Sequence, residues 1–401
     1  MNVVTRSRDV RLDALRGLLL ILMAGVHVPT PVSHILQEPF GFMSEAEGFI
    51  FLSACLAGLT YGRTYGQADW STMSRRAWKR AGQIYGIHLA VVLPVVLAAW
   101  IFAGWVAPLA NHFHDFLVHP WGALALAPLL LHQPPLFDIL PLYIVFLGVT
   151  PLLLAMVRRC GWGMVLWFSA LGWLAVQFKH GGHLTGDPSR WLPLRWGAFD
   201  LPAWQFVWVS GLALGESASR RPILTGNWRF ALAAVSAPIV LVGLLARHGF
   251  LSFNPDCFLW MDKWMLGPLR LLNFAAWAGL LLAWNPRVPA RPLAPLALLG
   301  RHSLAVFAFH LPLVVASSTL IQMLVLPQVV QTVIGLLVIA ALFPWAAWLE
   351  SDRRRPVQVA TQVPPRRLPL RTSSRPVEWL PEIPVRPLFS RMRANALTLH
   401  V

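Results

Sequence analysis

Residues 8–27 read RDVRLDALRGLLLILMAGVH, and the fold turns on how this stretch is understood. Arg6, Arg8 and Arg11 stand ahead of an apolar run long enough to enter a hydrocarbon core about 30 Å thick. A cleaved secretory leader would carry a small-residue cleavage site after that run, and none follows. Asp13 and Arg16 also lie within it, so the run reads as a retained first membrane helix. Outward from this stretch the pattern recurs, with further apolar runs at about 47–62, 82–106, 136–157, 162–178, 202–216, 230–246, 267–284, 296–318 and 326–349. Ten helices of roughly 20 residues fill more than half of residues 1–349, and the connections between them take the rest. The expected architecture is an all-α, polytopic membrane bundle.

Composition agrees. Of 401 residues, 56% are hydrophobic and 12% charged, about half the roughly 25% charge of soluble domains. Such a chain cannot cover its apolar surface with charge, which excludes an ordinary soluble domain and a disordered one. The net charge of +16 sits in short clusters between apolar runs, a membrane pattern rather than a nucleic-acid footprint. Cys55, Cys160 and Cys257 are odd in number and far apart, which indicates neither a disulfide framework nor a zinc site.

With the N-terminus placed in the cytoplasm, alternate connections carry 26 Lys and Arg on the inner side and 6 on the outer. That is the sign the positive-inside rule requires, and both termini are expected inside. Residues 107–135 hold no Lys or Arg and mix His, Trp and apolar residues, as an interfacial helix would. Residues 179–201 and 247–266 suit loops around a polar mouth, with Asp200, Trp204, Gln205, Asp262 and Lys263 at the outer ends of spans. Residues 350–401 read as a separate Arg- and Pro-rich cytoplasmic tail without helical period, held near anionic lipid.

A charge within a span costs roughly 2.5–3.5 kcal/mol on insertion scales, so each needs a reason. Eleven residues separate Arg16 from His27, about 1100° of turn and about 16 Å of rise, so the two share one helix face. Asp13 and Leu20 extend that stripe. Glu47 opens the second span at about the depth His27 reaches, where a carboxylate can fix an imidazole's tautomer and raise its basicity; the plainer alternative is a solvated loop carboxylate. Arg75, Arg76, Lys79 and Arg80 form a basic edge at the entrance of the third span, either an anchor at the lipid headgroups or a seat for a polyanionic donor. Ser303 and His310 are seven apart and share a face of the ninth span. His112, His114 and His119 lack metal-ligand spacing, and no metal is expected.

Several stretches resemble the OpgC family, a branch of the acyltransferase-3 superfamily of membrane acyltransferases. They are RDVRLDALRGLLLILMAGVH (8–27), EPFGFMSEAEGFIFLSACLAG (38–58), LPLYIVF (140–146), AWQFVWVSGLALGE (203–216), DKWMLGPLRLLNF (262–274) and LGRHSLAVFAFH (299–310). Arg16–x10–His27 is similar to the superfamily's first-span signature, SRRAWKR to its basic third-span entrance, and LGRHSLAVFAFHLP to its late motif, which places Gly300, Ser303 and His310. Ala54 stands where the family pattern has Gly after Ser53, and the tail lies outside the match. The resemblance implies transfer of an acyl group, succinyl in the named activity, from an acyl-CoA co-substrate to hydroxyls of periplasmic glucans at the bacterial inner membrane. No bound cofactor is implied; the partners are lipid, glucan and acyl-CoA. His27 is then the expected base with Glu47 orienting it, Arg16 and the basic entrance hold the donor, and His310 with Ser303 stabilises the oxyanion or positions the donor. The alternative from another class is a transporter or flippase, whose intramembrane charges would mark a transport path.

Reporter fusions test the charge asymmetry: a fusion at residue 401 is expected to score cytoplasmic and one within 179–201 external. Opposite scores would invert the position of every site named above.

Overall fold

The computed structural model describes residues 9–67, 69–178, 197–220, 226–252, 260–284 and 289–354. Arg6, Arg8, Cys257, most of the 179–201 loop and the tail from residue 355 lie outside the described residues. Among those described the chain is helical throughout, without a strand. The helices are α1 (Val10–His27), α2 (Pro31–Leu36), α3 (Glu45–Gln67), α4 (Trp70–Phe102), α5 (Ala107–His112), α6 (His114–Val118), α7 (Pro120–Leu126), α8 (Ile139–Gln177), α9 (Leu201–Arg220), α10 (Trp228–Arg247), α11 (Pro268–Trp284), α12 (Ala290–Arg301), α13 (Ser303–Leu324) and α14 (Gln328–Arg354).

Every apolar run read from the sequence falls on a helix. Five helices, α4, α8, α10, α13 and α14, are long and apolar enough to cross a membrane. The helices α1, α3 and α9 are not among them; α1 alone carries three charges, Arg11, Asp13 and Arg16, within its 18 residues. These helices sit inside the bundle, where neighbouring helices rather than lipid surround them: Asp13, Glu47 and Glu216 are all buried. Two runs, 136–157 and 162–178, share α8, which breaks at Gly161 in a conformation (φ 76°, ψ 166°) that a side chain would strain.

Two expectations need correction. The single span at 296–318 is divided into α12 and α13 at His302, whose backbone leaves the helical region (φ −105°, ψ 21°). His302 Nε2 lies 2.8 Å from Glu350 of α14, so the break is pinned by a side-chain contact. The interfacial helix expected over 107–135 is three short helices that bury Leu109, Phe116 and Ala123, with α5 packed on α4 and α13. Pro108 and Pro120 occupy early positions of α5 and α7, where a missing N–H is tolerated and each short helix restarts.

The tightest packing is backbone to backbone. A Cβ on Gly17 would come within 1.9 Å of the Leu296 carbonyl oxygen, and one on Gly300 within 1.7 Å of that of Asp13. The same holds for α3 on α9, where a Cβ on Gly58 would meet Leu212 O at 2.3 Å and one on Gly215 would meet Cys55 O at 1.9 Å. Small residues permit this approach, as they do between membrane helices generally. At the entrance of α4, the Asp69 carboxylate accepts from Ser71 and, at 3.3 Å, from the Thr72 amide. Those hydrogen bonds hold its carboxyl at about 2 and cap the helix that carries the basic cluster.

Gly215→Ala is expected to force α3 and α9 apart at a cost of about 1–3 kcal/mol, the range for overpacked interiors. Gly86→Ala, on open surface of α4, is expected to be neutral or slightly stabilising. Thermal unfolding in detergent compares the two, and equal midpoints would contradict the packing argument.

Candidate functional site

The centre of the bundle holds a row of rings between Arg16 and His27. The Arg16 guanidinium lies 5.8 Å from the centroid of Phe49 on α3. Phe49 meets Phe307 of α13 at 6.1 Å, Phe307 meets His310 at 4.8 Å, and His310 meets His27 at 6.0 Å with the ring planes 14° apart. Three helices therefore join the two ends of the α1 stripe through one aromatic path. His310 is buried, and His27, the last residue of α1, is half-buried. Ser303 is the first residue of α13 and is buried, and Asp13 is buried on α1 beneath Gly300.

Glu47 does not reach His27. One carboxylate oxygen takes an ion pair from Nε of Arg270 on α11, and the other accepts the Ser44 amide at 2.9 Å and the Ser44 hydroxyl at 2.6 Å. Arg270 also pairs with Glu38, a residue held at φ 56° in the α2–α3 connection. More donors pin this connection to α10 and α11. Arg247 Nη2 donates to Gln37 O at 2.8 Å, Trp277 Nε1 to Phe40 O at 2.7 Å, and the Phe42 amide to Asn273 Oδ1 at 3.1 Å. The expected role of Glu47 as the orienting partner of His27 is thus corrected: it anchors the start of α3. Arg270 and Asn273 were missed in the sequence, although an arginine three residues inside the 267–284 run is itself a charge in search of a partner.

This arrangement coincides with a match to known proteins: the family model described as OpgC protein matches residues 8–354. The chain belongs to the OpgC family. No curated protein and no solved structure matched it.

Within this OpgC-family bundle the other sequence-derived candidates divide. Arg75, Arg76, Lys79 and Arg80 are exposed on α4, while Met73, Ala77, Ala81 and Ile84 on the opposite face are buried. Arg76 reaches Thr64 at 3.4 Å and Arg80 reaches Gln83 at 3.3 Å, long contacts that leave most of their donors available. Arg158 lies over the Tyr65 ring at 3.8 Å, adding another cation near the end of α3. At the opposite end Lys263 is half-buried, pairs with Glu45 at 3.6 Å and lies 5.6 Å from the Trp264 ring. Asp262 accepts the Met265 amide at 2.6 Å, which shapes the turn carrying Lys263.

Trp204 does not line a mouth. Trp204 is fully buried, with its indole N–H donating to Trp264 O at 3.0 Å. Gln205 exchanges two 2.6 Å hydrogen bonds with Ser169 between α8 and α9. Asp200 caps α9 by accepting the Ala203 amide at 3.0 Å. The aromatic and polar character that suggested a mouth is used instead to close helix interfaces. Among the described residues no three His, Cys, Asp or Glu side chains converge as a metal site.

Removing one partner of a buried ion pair strands the other charge. Arg270→Met is expected to destabilise the protein by about 3–5 kcal/mol, and Arg270→Met with Glu47→Gln to recover part of that loss. Thermal midpoints of the purified variants decide; a harmless Arg270→Met would show that the pair holds nothing in place.

Proposed function

We propose that this OpgC-family protein is a multi-pass O-acyltransferase of the bacterial inner membrane. It would move an acyl group, succinyl by family analogy, from a cytoplasmic coenzyme A thioester to hydroxyls of periplasmic glucans. The observation that carries the reading is the aromatic row that links Arg16 to the His27–His310 pair. A cation at one end suits the anionic part of a donor, and an imidazole at the other suits a hydroxyl that must lose its proton. About 16 Å of helix separates them, a distance for an extended donor arm rather than a small acceptor.

In this mechanism Arg75, Arg76, Lys79 and Arg80 gather the donor phosphates at the α4 entrance, and Arg16 holds the donor further in. The planar guanidinium grips phosphate or carboxylate through two parallel hydrogen bonds, which lysine cannot reproduce. His27 takes the proton of the sugar hydroxyl as its oxygen attacks the thioester carbonyl, and Ser303 lies on the donor side. Lys263 and Asp262 face the acceptor. General-base assistance of this kind contributes ~10²–10⁴-fold. No G-x-S-x-G nucleophile stands in the chain, so direct transfer is preferred to an acyl-serine route. The tail beyond residue 354 belongs, in this reading, to the cytoplasmic face and not to catalysis.

Purified protein in detergent, incubated with succinyl-CoA and glucan, tests the assignment by mass spectrometry of the glucan. Transfer without a sealed bilayer is expected; activity only as uptake into vesicles would instead make the chain a transporter. His27→Ala is expected to abolish transfer while membrane insertion persists. Arg16→Lys is expected to raise the apparent KM for the donor with little change for the glucan, and the reverse pattern would mean the stripe is oriented the wrong way.

A further inference from the structure

The contact between His27 and His310 contains two enclosed nitrogens of complementary capacity. His310 Nδ1 lies 2.5 Å from the Phe307 carbonyl oxygen. A carbonyl only accepts, so Nδ1 carries the proton. A neutral imidazole has one N–H, which leaves His310 Nε2 as a lone-pair acceptor. That Nε2 is enclosed and has no hydrogen-bond partner among the described residues. His27 Nδ1 is likewise enclosed and unpaired, and the two ring planes are only 14° apart with centroids at 6.0 Å. Buried polar atoms without partners are costly and call for an explanation.

We infer that His310 is the positioning residue of His27: after a modest ring rotation, His27 Nδ1–H donates to His310 Nε2, whose own Nδ1–H donates to Phe307 O. The inference rests on the acyl-transfer reading and deepens it, because it settles which nitrogen of His27 does the work. With Nδ1 protonated and held, Nε2 of His27 presents its lone pair to the acceptor hydroxyl. The hydroxyl proton passes to His27 Nε2 as the oxygen–carbon bond forms. The carbon–sulfur bond then breaks, and the leaving thiolate takes that proton, so His27 returns to its starting tautomer. His310 neither gains nor loses a proton. Its part is that of the orienting group behind a catalytic histidine, filled here by a second imidazole anchored on a helix carbonyl. Glu47, committed to Arg270 and Ser44, cannot fill it.

Two variants separate positioning from packing. His310→Gln keeps an amide oxygen able to accept from His27, whereas His310→Leu fills space without an acceptor. In the succinyl-CoA and glucan assay, His310→Leu is expected to lower kcat by at least ~10²-fold, in line with loss of the correct tautomer in other histidine-based sites. KM for both substrates should stay within about threefold, and His310→Gln should recover kcat to within about tenfold of wild type. Equal losses in the two variants, or a near-normal His310→Leu, overturn the assignment.

Nitrogen-15 spectra of histidine-labelled protein give a readout that needs no turnover. His27, assigned by the signal lost in His27→Ala, is expected as the Nδ1–H tautomer in the wild type. An Nε2–H tautomer overturns the proposal even if His310→Leu fails to insert. Wild-type protein that shows the Nδ1–H tautomer but no transfer would overturn the enzymatic reading while supporting the His27–His310 hydrogen bond.

Discussion

The backbone contact of α1 with α12 sets the height at which everything else on α1 operates. Gly300 lies against the Asp13 carbonyl and Gly17 against that of Leu296, so neither helix can slide without a clash. Arg16 immediately precedes Gly17, and His27 follows at a distance fixed by helical rise. Locking α1 therefore locks both ends of its stripe, Arg16 and His27. The break at His302, two residues after Gly300, then lets α13 leave at its own angle and bring Phe307 and His310 to Phe49 and His27. Glycine at 300 therefore governs the position of His27: any side chain there would push α1 from α12 and move His27 relative to His310.

The other end of α3 is governed by charge. Glu38, Glu45 and Glu47 face Arg247, Lys263 and Arg270 in pairs that leave no net charge. Balance matters because isolated buried charges are strongly penalised, while breaking one partner exposes the full desolvation cost of the other. The pairs connect segments more than two hundred residues apart in sequence, so they hold the α2–α3 connection onto α10 and α11. Both Arg270 and Asn273 act on that connection, one through Glu38 and one through the Phe42 amide. The network thereby fixes the chain that enters α3, and with it the position of Phe49 two residues beyond Glu47.

The helices were legible because their signal is local: apolar runs of the right length, bounded by Pro, Gly and Arg. The shared face of Arg16 and His27 was legible for the same reason, since helical periodicity needs nothing beyond α1. Three readings failed where the deciding partner is remote. Glu47 looked like a partner for His27 because the connection between their helices is short, but its real partner is 223 residues away. Trp204 looked like a mouth residue because it opens a span, yet helix packing buries it. The break at His302 has Gly300 close by, but its fixing partner is remote: Glu350, 48 residues on, meets it. Local chemistry announces that a charge or a ring needs a partner, while only the packed bundle says which one.

The row from Arg16 to His27 also explains why its middle members are phenylalanines. On the acyl-transfer proposal, aromatic side chains at this point would keep water from the thioester carbonyl, where hydrolysis would compete with transfer. Phe49 and Phe307 are buried and in ring contact, so they present only aromatic surface between a cation and an imidazole. Each is fixed from a different side. Phe49 follows the charge-pinned start of α3, and Phe307 sits one turn into α13 after the pinned break at His302. The two constraints that dominate the fold, close backbone packing on α1 and balanced charge on α3, therefore meet at this pair of rings.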